Sequence, residues 1–183
     1  MECQIRRWKE EDASHLASII SDPRVQEGIR DGIPNPYTEE DALEYIRSVS
    51  NADRNQVFSF AITAYGNVIG SISAFRLDNV NKFTAELGYY LAPSQWNKGL
   101  MTQAVNQLCS YVFNNSDLRR ITAEVFSFNH ASCRVLEKCG FHLDGILYDN
   151  VYKNGMMCDS VIYGMTKKGY EHRIMNNWHN DML

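Results

Sequence analysis

Two stretches of the sequence combine residue types and spacings that could do chemistry. The first runs Glu86-Leu87-Gly88-Tyr89-Tyr90-Leu91-Ala92-Pro93-Ser94-Gln95-Trp96-Asn97-Lys98-Gly99-Leu100-Met101. It reads as a strand, a glycine-containing loop and the start of a helix. Such a junction collects unpaired backbone N–H groups at the positive end of a helix dipole, which suits a phosphate. Asn97 and Gly99 are the residues there that tolerate left-handed backbone angles. The spacing matches neither GxxxxGK[ST] nor GxGxxG, so it is not a nucleotide-triphosphate or dinucleotide loop. The second stretch is Asn129-His130-Ala131-Ser132-Cys133-Arg134-Val135-Leu136-Glu137-Lys138-Cys139-Gly140-Phe141. Asn129 suits a helix N-cap, with Ser132 in the first turn. Read singly, Asn129 is a cap and Ser132 a solvated serine. Glu86 opens the strand as a carboxylate able to take a proton, or else to pair with a neighbouring cation.

These residues need a scaffold, and the pattern around them supplies one. Cys3 to Arg7 reads as a strand and Glu10 to Ile20 as an amphipathic helix. Asp22-Pro23 is an N-cap followed by proline at the first helical position. Gly28 to Tyr37 is an irregular loop. Thr38 to Asp41 is a capping box opening a helix through Ala42, Ile46 and Val49. Val57–Ala64 and Val68–Leu77 form a hairpin across Tyr65-Gly66-Asn67, followed by a strand from Phe83 to Leu91. A helix carrying Ala104, Leu108, Tyr111 and Val112 leads to a strand over Arg120–Phe126. Ala131–Lys138 is a helix closed by Gly140. Phe141–Tyr152 and Met157–Met165 flank Asn154-Gly155, a strong hairpin signal. The expectation is a single α+β domain (α/β by some schemes) with middle strands antiparallel and later ones joined through helices.

Composition bounds the function. The 183 residues predict one domain, and 44% apolar with 22% charged residues is ordinary globular composition. Eighteen basic against 22 acidic residues give a net charge of −4, which disfavours nucleic acid as a partner. No run approaches the roughly 18 apolar residues of a membrane helix. The opening Met1-Glu2-Cys3-Gln4-Ile5-Arg6-Arg7-Trp8 lacks the apolar core of a secretory signal, so a cytoplasmic setting is expected. Cys3, Cys109, Cys133, Cys139 and Cys158 have no CxxC spacing, so neither a disulfide framework nor a metal site is expected. Cys133 has no partnered histidine to make it an acyl carrier. His130 and His142 read as structural or solvated, and His172 and His179 fall in a polar tail, 169–183, expected to lack fixed structure.

Taken together, the two stretches resemble the GCN5-related N-acetyltransferases (GNAT). The first resembles their acyl-CoA motif, Q/R-x-x-G-x-G/A. More closely, Glu86-Leu87-Gly88-Tyr89 with Trp96-Asn97-Lys98-Gly99 resembles the E-L-G-Y…W-G-K-G form of the RimJ/RimL-type branch. The second stretch is similar to that branch at every specified position of N-x-A-S-x-R-V-L-E-K-x-G-F. Arg6-Arg7-Trp8, Glu11-Asp12, Asp22-Pro23, Gly145 and Gly155…Asp159 extend the resemblance from about Ile5 to Met165. Trp96 stands at the Q/R position, Asn97 replaces a glycine, and Met101 replaces Ala or Gly. Met101 either crowds the pyrophosphate or turns away.

The resemblance implies a GNAT domain over 1–168, with a mixed, mostly antiparallel twisted sheet of about seven strands flanked by helices. It implies acetyl-CoA as cosubstrate and no metal. The motif strand would carry a bulge, splay from its neighbour and bind the pantetheine arm through the backbone of Tyr89, Tyr90 and Leu91. Trp96, Asn97, Lys98, Gly99, Leu100 and Met101 would hold the pyrophosphate, with Lys98 and Arg134 as nearby cations and Asn129 orienting the pantetheine. Glu86 would be the general base, through water, and Ser132 would protonate the leaving thiolate. The acceptor would be a primary amine, either a protein N-terminus of ribosomal-protein type or a small amine or amino acid. Its pocket would be roofed by the loop carrying Arg30, Asp31 and Tyr37. The assembly expected is a monomer or homodimer, without membrane or nucleic-acid partners. An acyl-CoA-binding or sensing module with weak turnover, or a partner-binding scaffold, are the alternatives.

Overall fold

The computed structural model describes residues 2–180, the side chains of 177–180 excepted. A seven-stranded sheet with order β1-β2-β3-β4-β5-β7-β6 organises the chain. Its strands are β1 (Gln4–Arg6), β2 (Val57–Ala64), β3 (Asn67–Arg76), β4 (Thr84–Leu91), β5 (Arg120–Phe126), β6 (His142–Lys153) and β7 (Met156–Thr166). Every pairing is antiparallel except β4 with β5. The helices are α1 (Ala13–Ile20), α2 (Pro23–Gly28), α3 (Glu39–Asn51), α4 (Leu100–Asn115), α5 (His130–Lys138) and α6 (Lys167–Asn180). This is the expected α+β architecture.

Alternation along β2 sorts the two faces of the sheet. Phe58, Phe60 and Ile62 point into a core shared with α4, while Ala61 points into a second core with α1 and α3. Leu100, Ala104, Val105, Leu108 and Val112 of α4 are fully buried, each large one contributing about 1.5–3 kcal/mol. Gln103 and Gln107 on the same helix reach the edge strand. Their side-chain oxygens accept the N–H groups of Cys3 and Ile5 at 3.0 Å each, which occupies an edge that could otherwise template aggregation. The capping box forms in both directions, with Asp41 N–H donating to Thr38 and Thr38 N–H to Asp41.

Two local expectations are corrected. The helix read from Glu10 is a 3₁₀ turn over Glu10–Asp12 before α1, because Asp12 turns inward to accept from Arg6 (2.7 and 2.8 Å) and Lys9 N–H (2.9 Å). The segment after 168 is not a structureless tail. Helix α6 begins at Lys167 and runs across the expected boundary. Tyr170 is buried with its ring 5.2 Å from that of Phe113, and the Arg173 guanidinium donates to the Cys139 carbonyl. One aromatic and one arginine anchor a helix that is mostly polar and whose Ile174 and Met175 are exposed, which is why its pattern hid it. His172 lies on α6; the side chain of His179 and residues 181–183 lie outside the described residues. Among the described residues, no helix is long and apolar enough to cross a membrane.

Candidate active site

The one parallel contact in the sheet is short. Thr84–Glu86 pair with Arg120–Thr122, and beyond them β4 and β5 part. β4 keeps one unbroken register on β3 from Arg76↔Ala85 to Gly70↔Leu91, so the bulge expected in it is absent. β5 leaves because it follows β7 along its whole length. Thr84 accepts from Leu77 N–H and Ala92 donates to Ile69, so the even-numbered residues of β4 face β3. Alternation therefore turns the Leu87 C=O and the N–H and C=O groups of Tyr89 and Leu91 toward the gap, the Leu87 N–H closing the last rung with Thr122. The Leu91 carbonyl is met by the Trp96 indole N–H at 2.9 Å, which ties the following loop to the strand end. The rest is a row of main-chain donors and acceptors fit for an extended, amide-bearing ligand.

The gap widens into a cleft of about 1380 Å³. Every residue singled out from the sequence for cofactor binding or catalysis lines it. At one end stands the N-terminus of α4. Asn97 (φ 59°) and Gly99 (φ 73°) both adopt left-handed angles, and no side chain caps the helix. The N–H groups of Leu100, Met101 and Thr102 precede the first intrahelical bond, Gln103 N–H to Gly99 carbonyl at 3.3 Å. They form a ready anion site of the kind a diphosphate needs. Met101 resolves its alternatives by turning away: its side chain is 8% exposed, within the main core. Lys98 departs from expectation. Its ammonium donates to the Ser94 carbonyl (2.7 Å) and Gln95 Oε1 (3.1 Å), closing the preceding turn.

Across the gap, α5 presents its first turn. Asn129 Oδ1 accepts the Ser132 N–H at 3.1 Å, so the residue is a cap. Its Nδ2 faces Gly28, where an added Cβ would lie 3.3 Å from it. Ser132 Oγ lies 2.7 Å from the Tyr89 hydroxyl, joining α5 to β4 across the opening. Burial pushes the Tyr89 phenol well up, outweighing the hydrogen bond from Ser132 that lowers it, so the pair keeps both protons at neutral pH. Arg134 is exposed on the cleft rim. Cys133 instead packs toward Tyr163, and burial raises its thiol, the opposite of what a nucleophile needs. Sequence reading assigned Tyr89 only a backbone role; its hydroxyl is visible only once β4 and α5 are placed together.

At the other end, Glu86 is not free. The Arg30 guanidinium donates to Glu86 Oε1 and, from the same Nη2, to Glu124 Oε2 at 2.8 Å. Asn150 holds the second oxygen of Glu124 at 3.2 Å and Ser160 Oγ at 2.8 Å. Beside Arg30, Asp31 accepts from the buried Lys153 ammonium at 2.5 Å, latching the 28–37 loop to β6. Glu124 was missed, although it is the one acid in an alternating strand whose other face is Ile121, Ala123 and Val125. The aromatic wall behind Glu86 is Tyr37, Tyr45 and Tyr90; burial pushes Tyr37 up to about 12 and Tyr90 well up. These phenols stay neutral donors.

A protein-family model, the acetyltransferase (GNAT) domain, matches residues 3–142. An uncharacterized N-acetyltransferase p20 of Bacillus licheniformis is 29% identical over 170 residues, covering 91% of this chain and 93% of that protein. The ribosomal-protein-serine acetyltransferase of Escherichia coli K12 is 31% identical over 127 residues, 69% of this chain and 70% of that one. Among solved structures, RimJ of Mycobacterium smegmatis in complex with a CoA disulfide superposes with a TM-score of 0.82 at 20% identity, covering 96% of this chain and 88% of that one. Strand order, cleft and sequence agree on one ancestry, and the chain belongs to the GNAT family as an acetyl-CoA-dependent N-acetyltransferase.

Proposed function

We propose that the cleft carries acetyl transfer from acetyl-CoA to a primary amine by direct attack, with the residues of β4, α4 and α5 in distinct roles. The uncapped N–H groups at the start of α4, with the Asn97–Gly99 turn, hold the pyrophosphate. The Leu87 carbonyl, the Tyr89 main chain and the Leu91 N–H lie along the pantetheine arm, and the free N–H groups supply a donor to the thioester carbonyl as charge develops on its oxygen. Asn129 Nδ2 adds a side-chain donor, and Arg134 screens the nucleotide phosphates from the rim. The acceptor nitrogen attacks the carbonyl carbon, and Glu86 takes the proton that nitrogen loses. Ser132, oriented by its 2.7 Å contact with the Tyr89 hydroxyl, then delivers a proton to the sulfur as the C–S bond breaks and regains one from solvent, while Glu86 returns its own to solvent. No covalent enzyme intermediate is needed. The acceptor class is a protein N-terminal α-amine, a reading that the name of the Escherichia coli relative, a ribosomal-protein-serine acetyltransferase, supports, or a small amine or amino acid.

One observation supports this reading most: β5 departs after three rungs and leaves a main-chain edge leading to a bare helix N-terminus. Two measurements test it. Calorimetric titration with acetyl-CoA should give saturable heat. Thiol release with a panel of N-terminal peptides, diamines and amino acids should then identify an acceptor. Absence of binding at high micromolar acetyl-CoA would leave only a scaffold; binding without thiol release from any amine would leave a sensing module.

A further inference from the structure

The Arg30 bridge is the one contact in the cleft that works against the chemistry just described. A single guanidinium nitrogen donates to Glu86 on β4 and to Glu124 on β5, at the point where those strands begin to part. Glu86 and Glu124 share the face of the sheet that carries Thr122, because Glu86 pairs with Thr122 and Glu124 follows two residues on. Glu124 is further fixed by Asn150, so it stays in place whatever Arg30 does. The two carboxylates are the sheltered partners, their side chains 30% and 25% exposed, whereas that of Arg30 is 58% exposed at the end of a loop residue. While Arg30 is seated, the Oε1 that would take the proton is occupied.

We propose that Arg30 is a positioning residue that plugs the seat of the acceptor's ammonium group, and that a cationic primary amine enters by exchanging with it. The inference rests on the reading of Glu86 as proton acceptor. Charge balance favours the exchange. Two carboxylates and one guanidinium sum to −1; two carboxylates and one alkylammonium sum to the same. A neutral or anionic acceptor would expel Arg30 and leave two carboxylates facing each other. The exposed guanidinium is cheap to displace, since solvent-screened ion pairs are weak. Once the ammonium bridges Glu86 and Glu124, one of its protons passes through Glu86 to solvent, the neutral nitrogen is left beside the thioester, and Glu86 is free to take the second proton as the C–N bond forms. The plug thus keeps the acid pair compensated between turnovers and selects amines that arrive protonated. Its cost is a reduced apparent affinity, because only the unplugged fraction of the enzyme is competent for the acceptor.

The test compares the wild-type enzyme with Arg30→Gln, Arg30→Lys and Glu124→Gln, using the panel amine of highest kcat/KM in thiol-release kinetics. Arg30→Gln should lower the amine KM by about three- to tenfold with kcat within about twofold, the range expected for releasing exposed ion pairs. Arg30→Lys should restore the wild-type KM, and Glu124→Gln should raise it. An Arg30→Gln KM that is unchanged or higher would overturn the proposal, the latter by making Arg30 a ligand of the acceptor. So would an unchanged KM in Glu124→Gln. Failure of the wild-type enzyme to release thiol with any amine is a different outcome, because it removes the transfer reaction itself.

Discussion

A serine hydroxyl alone is a poor acid, and the 2.7 Å contact between Ser132 and Tyr89 is what makes it serviceable. With the phenol held protonated by burial, it can donate to Ser132 Oγ and stabilise that oxygen as the serine proton moves toward sulfur. Ser132→Ala should therefore lower kcat by about 10²-fold, the ordinary worth of a positioned acid, while the calorimetric acetyl-CoA affinity stays within about twofold. Equal losses in both would make Ser132 a cofactor ligand. Glu86→Gln should lower kcat at neutral pH by a similar factor of about 10². That loss should shrink as the pH rises, since an α-amine near pKa 8 or a lysine near 10.4 then supplies its own lone pair. A constant deficit across the pH–rate profile would assign the proton to another group. At this scale much of the site was legible: Asn97, Gly99, Ser132 and Glu86 were chosen for backbone tolerance, hydroxyl and carboxylate, and all line the cleft. Arg30 with Glu124 was not, because they are 94 residues apart and no local pattern couples them.

Elements were legible wherever their signal was local. The Thr38–Asp41 box, the Asp22-Pro23 start and the Asn154-Gly155 turn each act within a few residues, and each formed where it was read. Helix α6 failed that criterion, since its anchoring contacts are with Phe113 and Cys139, far away in the sequence, rather than within its own residues. Tyr170→Ala should thus destabilise the domain by about 3 kcal/mol, the scale for truncating a buried aromatic, lowering the melting temperature by roughly 6–12 °C. A shift below about 2 °C would return the segment to the status of a loose tail. The turn entering α1 carries a pH signature. Burial would raise the Asp12 carboxyl, but the Arg6 guanidinium and the Lys9 N–H together hold it below the usual carboxylate value. A carboxyl lower in the folded than in the unfolded chain adds stability that is complete at neutral pH. That contribution disappears as the pH falls below about 4. Asp12→Asn should be less stable than wild type at pH 7, and the gap should close toward pH 2 in denaturant titrations; a pH-independent gap would mean that the pair has no titrating share.

Across the whole molecule, the sheet is two units in series. β1 to β4 form one antiparallel run and β5, β7 and β6 another, joined by three parallel rungs and by the cores that α4 completes. The Tyr89 and Leu91 amides at that seam should exchange hydrogen quickly in the free protein and slow markedly with acetyl-CoA, whereas Gly88 and Tyr90, bonded to β3, should change little. Uniform slowing of both sets would indicate general tightening by mass action instead.

That seam has a further consequence. A β-structure interrupted at its midline by a reagent's own amide backbone is whole only while the reagent is present, so each turnover removes a plank from the bridge and each reloading relays it. Under the proposed transfer, discharge of the spent thiol carrier then reopens the sheet in every cycle.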